Sequence, residues 1–192
     1  MEEKKKLFAF NTKTLVATAL GAAIFMVLAM YVKIPSGIPN TDIQTSYGVC
    51  AFLAALFGPI AGGLMAFIGH ALGDAVSYGS VWWSWVIASG FTGFIYGIAF
   101  NKIKADEGIF ASKDIITFNV IQVIANVIGW VIIAPTLDIV MYGEPANLVY
   151  TQGVVAAISN IVSAGVIGTL LLLIYSKTRS QKGSLSKDET EE

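Results

Sequence analysis

Residues 41–76 read TDIQTSYGVCAFLAALFGPIAGGLMAFIGHALGDAV. Asp42 and Asp74 are the only charged side chains in this stretch. Gly58-Pro59 divides it into two apolar runs, each near the length of about 20 residues that a helix needs to cross a bilayer. The Gly-Pro pair is a tight break with no room for a domain, and Pro59 suits the first turn of the second helix. Asn40 or Thr41 can cap the first helix, and Asp42 suits the positive end of its dipole. The stretch is therefore expected to form two membrane helices, Thr41–Phe57 and Pro59–Val76.

The same pattern extends in both directions. Further spans are expected at Thr14–Tyr31, Trp82–Phe100, Ile115–Ala134 and from Pro145 to Tyr175. Loops at Val32–Asn40, Ser77–Val81, Asn101–Asp114 and Pro135–Glu144 separate them. The expected fold is an all-α membrane protein with six transmembrane helices. Residues 1–13 read as a cytoplasmic N-terminal segment, 14–175 as the membrane domain and 176–192 as a polar, disordered tail. A barrel would show short alternating segments instead. The first apolar run is too long, and followed by too many others, to read as a secretory signal.

Composition agrees. Of 192 residues, 55% are hydrophobic and 13% charged, against about a quarter charged in a soluble domain. The mean hydropathy is +0.70. A soluble fold of this size lacks the interior volume to hide so much apolar surface. The net charge of -1 leaves no basic face for nucleic acid. Cys50 is the single cysteine, which excludes an internal disulfide and reads as a small buried hydrophobe.

The positive charges set a direction. With six spans, both termini share a side with the Asn101–Asp114 connection. Those three segments hold every Lys and Arg except Lys33. The positive-inside rule then places both termini in the cytoplasm. Asp42, Asp74, Asp138 and Glu144 fall on the outer side.

Polar residues within spans are costly and by default functional. His70 and Asp74, spaced i, i+4, lie about 40° apart on one helix face. Asp74 is either a ligand-site group partnered by His70 or a hydrated interfacial residue that fixes the following loop. Asn119, Gln122, Asn126 and Trp130 share one face of the fifth helix. Gln152, Ser159 and Ser163 share a face of the sixth, which also carries Thr151 and Asn160. Hydrogen bonds between helices would explain these amides equally well. Trp82, Trp83 and Trp85 open the fourth helix, with Tyr78 near by. They form either an interfacial belt or a stacking surface for a flat ligand.

These features converge on the outer half of the bundle. The candidate substrate-binding residues are Asn40, Gln44, His70, Asp74, Trp82, Trp83, Trp85, Asn126, Trp130 and Gln152. They suit a small, neutral, hydrogen-bonding planar solute in a pocket open to the outside. Seams of small residues, Gly62/Ala66/Gly69/Gly73, Gly90/Gly93/Gly97 and Thr14/Ala17/Gly21, let helices approach closely. The last of these seams faces either a helix of this chain or a partner protein. There is no phosphate-cradling loop, no metal-ligand motif, and one histidine in all. No cofactor and no catalytic residue are expected. No inverted repeat is visible, which argues against a self-contained transporter.

Residues 38–85, IPNTDIQTSYGVCAFLAALFGPIAGGLMAFIGHALGDAVSYGSVWWSW, resemble the substrate-binding S components of energy-coupling factor (ECF) transporters. The riboflavin-type S components are the nearest group. The likeness spans Thr14–Tyr175 and is most specific from Gly69 to Trp85. It implies capture of a vitamin or vitamin precursor at the bacterial plasma membrane, in a pocket built by the outer ends of helices 4–6 and the first outer loop. It also implies docking on a transmembrane T component driven by two ATPases, with Ala17 and Gly21 matching the helix-1 contact to that component. S components of this family type are thought to topple in the membrane to deliver their ligand. Related S components carry pyridoxine-like and hydroxymethylpyrimidine-like compounds, so a smaller heteroaromatic ring competes with riboflavin as substrate. Two other classes stay open: an intramembrane enzyme using His70 and Asp74 as acid and base, and a structural membrane protein without a ligand.

Overall fold

A computed structural model describes residues 7, 8 and 11–179. Helix α1 (Thr12–Tyr31) is followed by a hairpin of β1 (Lys33–Ile38) and β2 (Thr41–Gln44). Then come α2 (Ser46–Phe57), α3 (Pro59–Tyr78) and α4 (Trp83–Tyr96), the last extended by a 3-10 turn, Gly97–Asn101. Helix α5 (Ser112–Asn126) runs through a π segment, Val127–Ile133, into α6 (Ala134–Tyr142). Helix α7 (Ala146–Ser163) likewise runs through a π segment, Ala164–Gly168, into α8 (Thr169–Lys177). Five of the resulting helical units are long and apolar enough to cross a membrane.

The chain turns at one end of the bundle in the hairpin, at Gly79–Trp82 and at Gly143–Pro145. At the other end, Gly58 lies against the Leu7 carbonyl and the Phe100 ring. Asn11 caps α1 there, its Oδ1 accepting from Thr14 N at 3.0 Å. The expected cytoplasmic start and disordered tail fall on residues 1–6, 9, 10 and 180–192, which lie outside the described residues.

Two spans differ from expectation. Thr41–Gln44 is not the start of a helix but pairs antiparallel with Lys33–Ile38, in the register Ile34↔Ile43 and Pro35↔Asp42. Asn40 takes φ 55 at the turn, a left-handed conformation that asparagine tolerates. β-branched Thr41 and Ile43 favour the pleated backbone. Helix α2 is left with 12 residues, about 18 Å by helical rise, short of the hydrocarbon thickness. It is mostly buried, with Tyr47, Cys50, Ala51, Ala54 and Ala55 each 3% exposed or less. Wrapped by other helices, it has little contact with lipid to satisfy.

The second difference is at Pro135, which does not end the fifth span. The π segment ahead of it bonds the Ala134 N–H to Gly129 O, and this looser turn accommodates a residue with no N–H and a bulky ring. The helix therefore continues to Tyr142 and carries Asp138 with it.

The small-residue seams work inside the chain. A Cβ on Gly62 would sit 2.2 Å from the Gly93 carbonyl oxygen, so α3 and α4 cross in backbone contact. A Cβ on Gly69 would meet Phe25 and the Ala22 carbonyl of α1. The Ala17–Gly21 seam of α1 packs against α3 of the same chain. Ala17 is 8% exposed, and a Cβ on Gly21 would strike Met65 of α3. The outer face of α1 is instead large and apolar, with Leu15, Val16, Leu20 and Ile24 exposed.

Candidate functional site

The hairpin and the helix ends around it enclose a cavity of about 320 Å³. That lies in the range of small-molecule sites, about 300–1,000 Å³. The hairpin contributes Asn40, Asp42 and Gln44; α2 gives Tyr47; α3 gives His70, Asp74 and Tyr78. Trp82 and Trp85 come from the start of α4, Trp130 from the π segment and Asp138 from α6. Gln152 and Asn160 project from α7, and Glu144 from the loop before it.

The i, i+4 spacing on α3 brings His70 and Asp74 together, with Nε2 3.5 Å from Oδ1. The other carboxylate oxygen, Oδ2, accepts the backbone N–H of Trp82 at 3.1 Å, so Asp74 anchors the N-terminal end of α4. His70 Nδ1 lies 2.5 Å from Ser89 Oγ, which is 2.7 Å from Tyr47 OH. One chain of polar contacts thus runs from the buried Tyr47 to the first residue of the tryptophan cluster.

The flat wall of the cavity is built by Trp85 and Trp130, stacked with centroids 5.8 Å apart and planes at 22°. Tyr47 meets Trp130 edge-on at 5.2 Å. Buried tryptophans need a partner for the indole N–H. Trp130 Nε1 donates to Asn126 Oδ1 at 3.0 Å, where Tyr96 OH also donates at 3.0 Å. Trp85 Nε1 donates to Asp138 Oδ2 at 3.0 Å, while Trp82 Nε1 and Ser84 Oγ both donate to Asp138 Oδ1 at 2.5 Å. Asp138 is 2% exposed. Three donors compensate its buried charge where no cation does.

Two ties hold the hairpin in place. Gln152 Nε2 donates to Pro39 O at 2.8 Å, joining α7 to the hairpin turn. Lys33 Nζ lies 2.6 Å from Asp42 Oδ2 across the two strands. The hydrogen bond to Asp42 holds the Lys33 ammonium above the ordinary lysine pKa.

Of the ten residues singled out in the sequence, Asn40, Gln44, His70, Asp74, Trp82, Trp85, Trp130 and Gln152 line the cavity. Two do not. Trp83 is 44% exposed and packs on Phe67 outside the bundle, because one residue of helix turns it away from Trp82 and Trp85. Asn126 is fully buried behind the wall and positions Trp130. Sequence reasoning passed over Tyr47, Asp138, Glu144 and Asn160 as site residues. The signal for Asp138 was present: it and Glu144 are the two charges between Ile115 and Ser176. Among the described residues no group of three or more His, Cys, Asp or Glu side chains could hold a metal ion.

A helical membrane protein with an aromatic and polar cavity at one end of the bundle has the form of a membrane-embedded binding protein. The family model of the ECF-type riboflavin transporter S component matches residues 9–177. The chain belongs to that family, whose members are substrate-binding subunits rather than enzymes. It is 56% identical over 180 residues to a UPF0397 protein of Exiguobacterium sp. (strain ATCC BAA-1283 / AT1b), covering 94% of this chain and 98% of that one. It is 53% identical over 186 residues to a UPF0397 protein of Clostridium perfringens, covering 97% and 99%. Among solved structures, the crystal structure of FolT bound with folic acid superposes with a TM-score of 0.59 at 16% identity, over 83% of this chain and 94% of FolT. At that identity the likeness is one of fold.

Proposed function

We propose that this chain captures a vitamin or vitamin precursor from outside the cell in the cavity behind the hairpin. Its handover to the cell runs through a T component and two ATPases, as in ECF importers. The observation that carries this reading is the stacked Trp85–Trp130 wall facing His70, Asp74 and Gln152 within one cavity. Aromatic faces hold a planar ring and the polar groups fix its orientation. Riboflavin is the substrate in the family's description; a smaller ring of the pyridoxine or hydroxymethylpyrimidine kind fits the same wall.

In this reading Asn40, Gln44, His70, Asp74, Trp82, Trp85, Trp130 and Gln152 touch the ligand. The chain crosses the cell membrane six times, with the buried α2 as the short crossing. Both termini and the 101–114 connection lie in the cytoplasm, because they hold all Lys and Arg but Lys33. The exposed apolar faces of the helices meet lipid. The T component docks along α1, on the face that carries or borders Ala17 and Gly21.

The test is mass spectrometry of small molecules that co-purify with the detergent-solubilised protein. A heteroaromatic vitamin or precursor, at near one per chain, is the expected result. Protein that co-purifies with none and binds none of riboflavin, pyridoxine or hydroxymethylpyrimidine on addition would overturn the reading.

A further inference from the structure

We propose that the cavity selects a cation, binding a planar ring that carries a positive charge over neutral and anionic rings of the same shape. The inference rests on the reading of the cavity as a vitamin site and adds the charge of its occupant. Four carboxylates line the cavity, those of Asp42, Asp74, Asp138 and Glu144, and no lysine or arginine does. Lys33 offsets the first of them at 2.6 Å. The other described lysines and arginines lie at the start of α1, in the 101–114 connection and at the end of α8, away from the hairpin. The carboxylates are not gathered for a metal ion, since no such group exists among the described residues.

His70 does not supply the missing positive charge. Its Nδ1, Ser89 Oγ and Tyr47 OH form two contacts, of 2.5 and 2.7 Å. With a neutral ring, Tyr47 donates to Ser89 and Ser89 donates to Nδ1, so each hydroxyl proton has an acceptor. A proton on Nδ1 would put three protons on two contacts and leave a buried donor unpaired, which is costly. The network assigns His70 as neutral, its proton on Nε2 toward Asp74. Asp74 then receives that N–H and the Trp82 amide, and Asp138 receives two indoles and a hydroxyl. Glu144 has no hydrogen bond or ion pair among the described residues. Three negative charges bear on the cavity, with dipoles but no cation against them. The aromatic wall acts with the same sign. The indole N–H groups of Trp82 and Trp85 are committed to Asp138 and that of Trp130 to Asn126, so ring surface rather than edge is left to the occupant. A carboxylate on an indole N–H polarises the ring and makes its face more negative, and such a face attracts a cation within about 6 Å. A cationic ring is held by the carboxylates and the indole faces together; a ligand phosphate or carboxylate meets repulsion from both.

The experiment is calorimetric titration of the full-length protein, in a nonionic detergent at neutral pH, with three probes built on one ring. They are 1-methylnicotinamide, a permanent cation; nicotinamide, which is neutral; and nicotinate, an anion. The cation is expected to bind about tenfold or more tightly than nicotinamide, a comparison that needs no variant, and nicotinate to bind weakest of the three. Glu144 is partly exposed and unpaired, so its substitution leaves the fold intact. Glu144→Gln should cut the cation's advantage about threefold, and Glu144→Lys should abolish it, with the melting temperature unchanged in both. Equal affinity for cation and neutral ring, nicotinate bound as tightly as the cation, an advantage indifferent to Glu144→Lys, or binding of none of the three would overturn this inference. The vitamin reading is decided separately, by the compound that co-purifies with the protein.

Discussion

Asp138 accepts the indole N–H of Trp85 at 3.0 Å and so fixes the ring that stacks on Trp130. The carboxylate lies on α6 and the tryptophan on α4, so the wall of the cavity depends on a contact between distant segments of the chain. Asp138→Asn should break this arrangement. An amide offers one acceptor oxygen in place of two and turns an NH2 group toward an N–H or O–H donor. A buried donor left unpaired costs about 1–3 kcal/mol. The expected outcome is a lower melting temperature together with at least about fivefold weaker ligand binding, read by differential scanning fluorimetry and by titration.

The tryptophans should separate by function. Trp85→Ala removes half of the stacked pair and should weaken binding by about 0.5–1.5 kcal/mol or more. Trp83→Ala changes a ring on the outer surface and should leave affinity unchanged. Ligand-induced quenching of intrinsic fluorescence checks both, because the quenched signal should survive loss of Trp83 and shrink with loss of Trp85.

Packing at the α3–α4 crossing should tolerate no side chain. Gly62→Ala brings a Cβ to 2.2 Å from the Gly93 carbonyl, and overpacking of this kind costs about 1–3 kcal/mol. Gly73→Ala, about three turns further along the same seam of α3 but with nothing within 4 Å of the new Cβ, should be neutral or stabilising by up to about 1 kcal/mol. Thermal unfolding in detergent compares the two.

The hairpin carries a pH dependence of known sign. Lys33 is held above the ordinary lysine value by Asp42. Its contribution is therefore fully present below that value, 10.5, and is lost as pH rises through the folded-state pKa. The pair is partly solvated, so its contribution is under about 1 kcal/mol. Hydrogen exchange of hairpin amides, corrected for intrinsic rates, should show constant protection up to pH 9 and a decline only in stronger alkali. Lys33→Met should remove that alkaline decline.

Much of this arrangement was legible in the sequence, and the rest was hidden for identifiable reasons. The i, i+4 pair of His70 and Asp74 follows from helical geometry alone. Asp138 was masked by Pro135, which reads as a helix end until the π segment before it is known; a 3.6-residue period does not register that change of pitch. The hairpin was masked because Thr41–Gln44 is too short, at four residues, to stand out beside an apolar helix. Trp83 and Asn126 were grouped with the site by neighbourhood in sequence. Their burial depended on where α4 begins and on which side of Trp130 the cavity opens. Asn160 lies off the face shared by Gln152 and Ser159, and only the packing of α7 against the cavity reveals it.

The central claim is that the space between the Trp85–Trp130 wall and the hairpin holds a vitamin-like ring. The most direct measurement is an equilibrium titration of the purified protein with the compound that co-purifies with it, comparing wild type and Trp130→Ala. The account predicts saturable binding at one ligand per chain that Trp130→Ala weakens by about tenfold or more while the protein remains folded. Binding of equal affinity in the folded variant would contradict it.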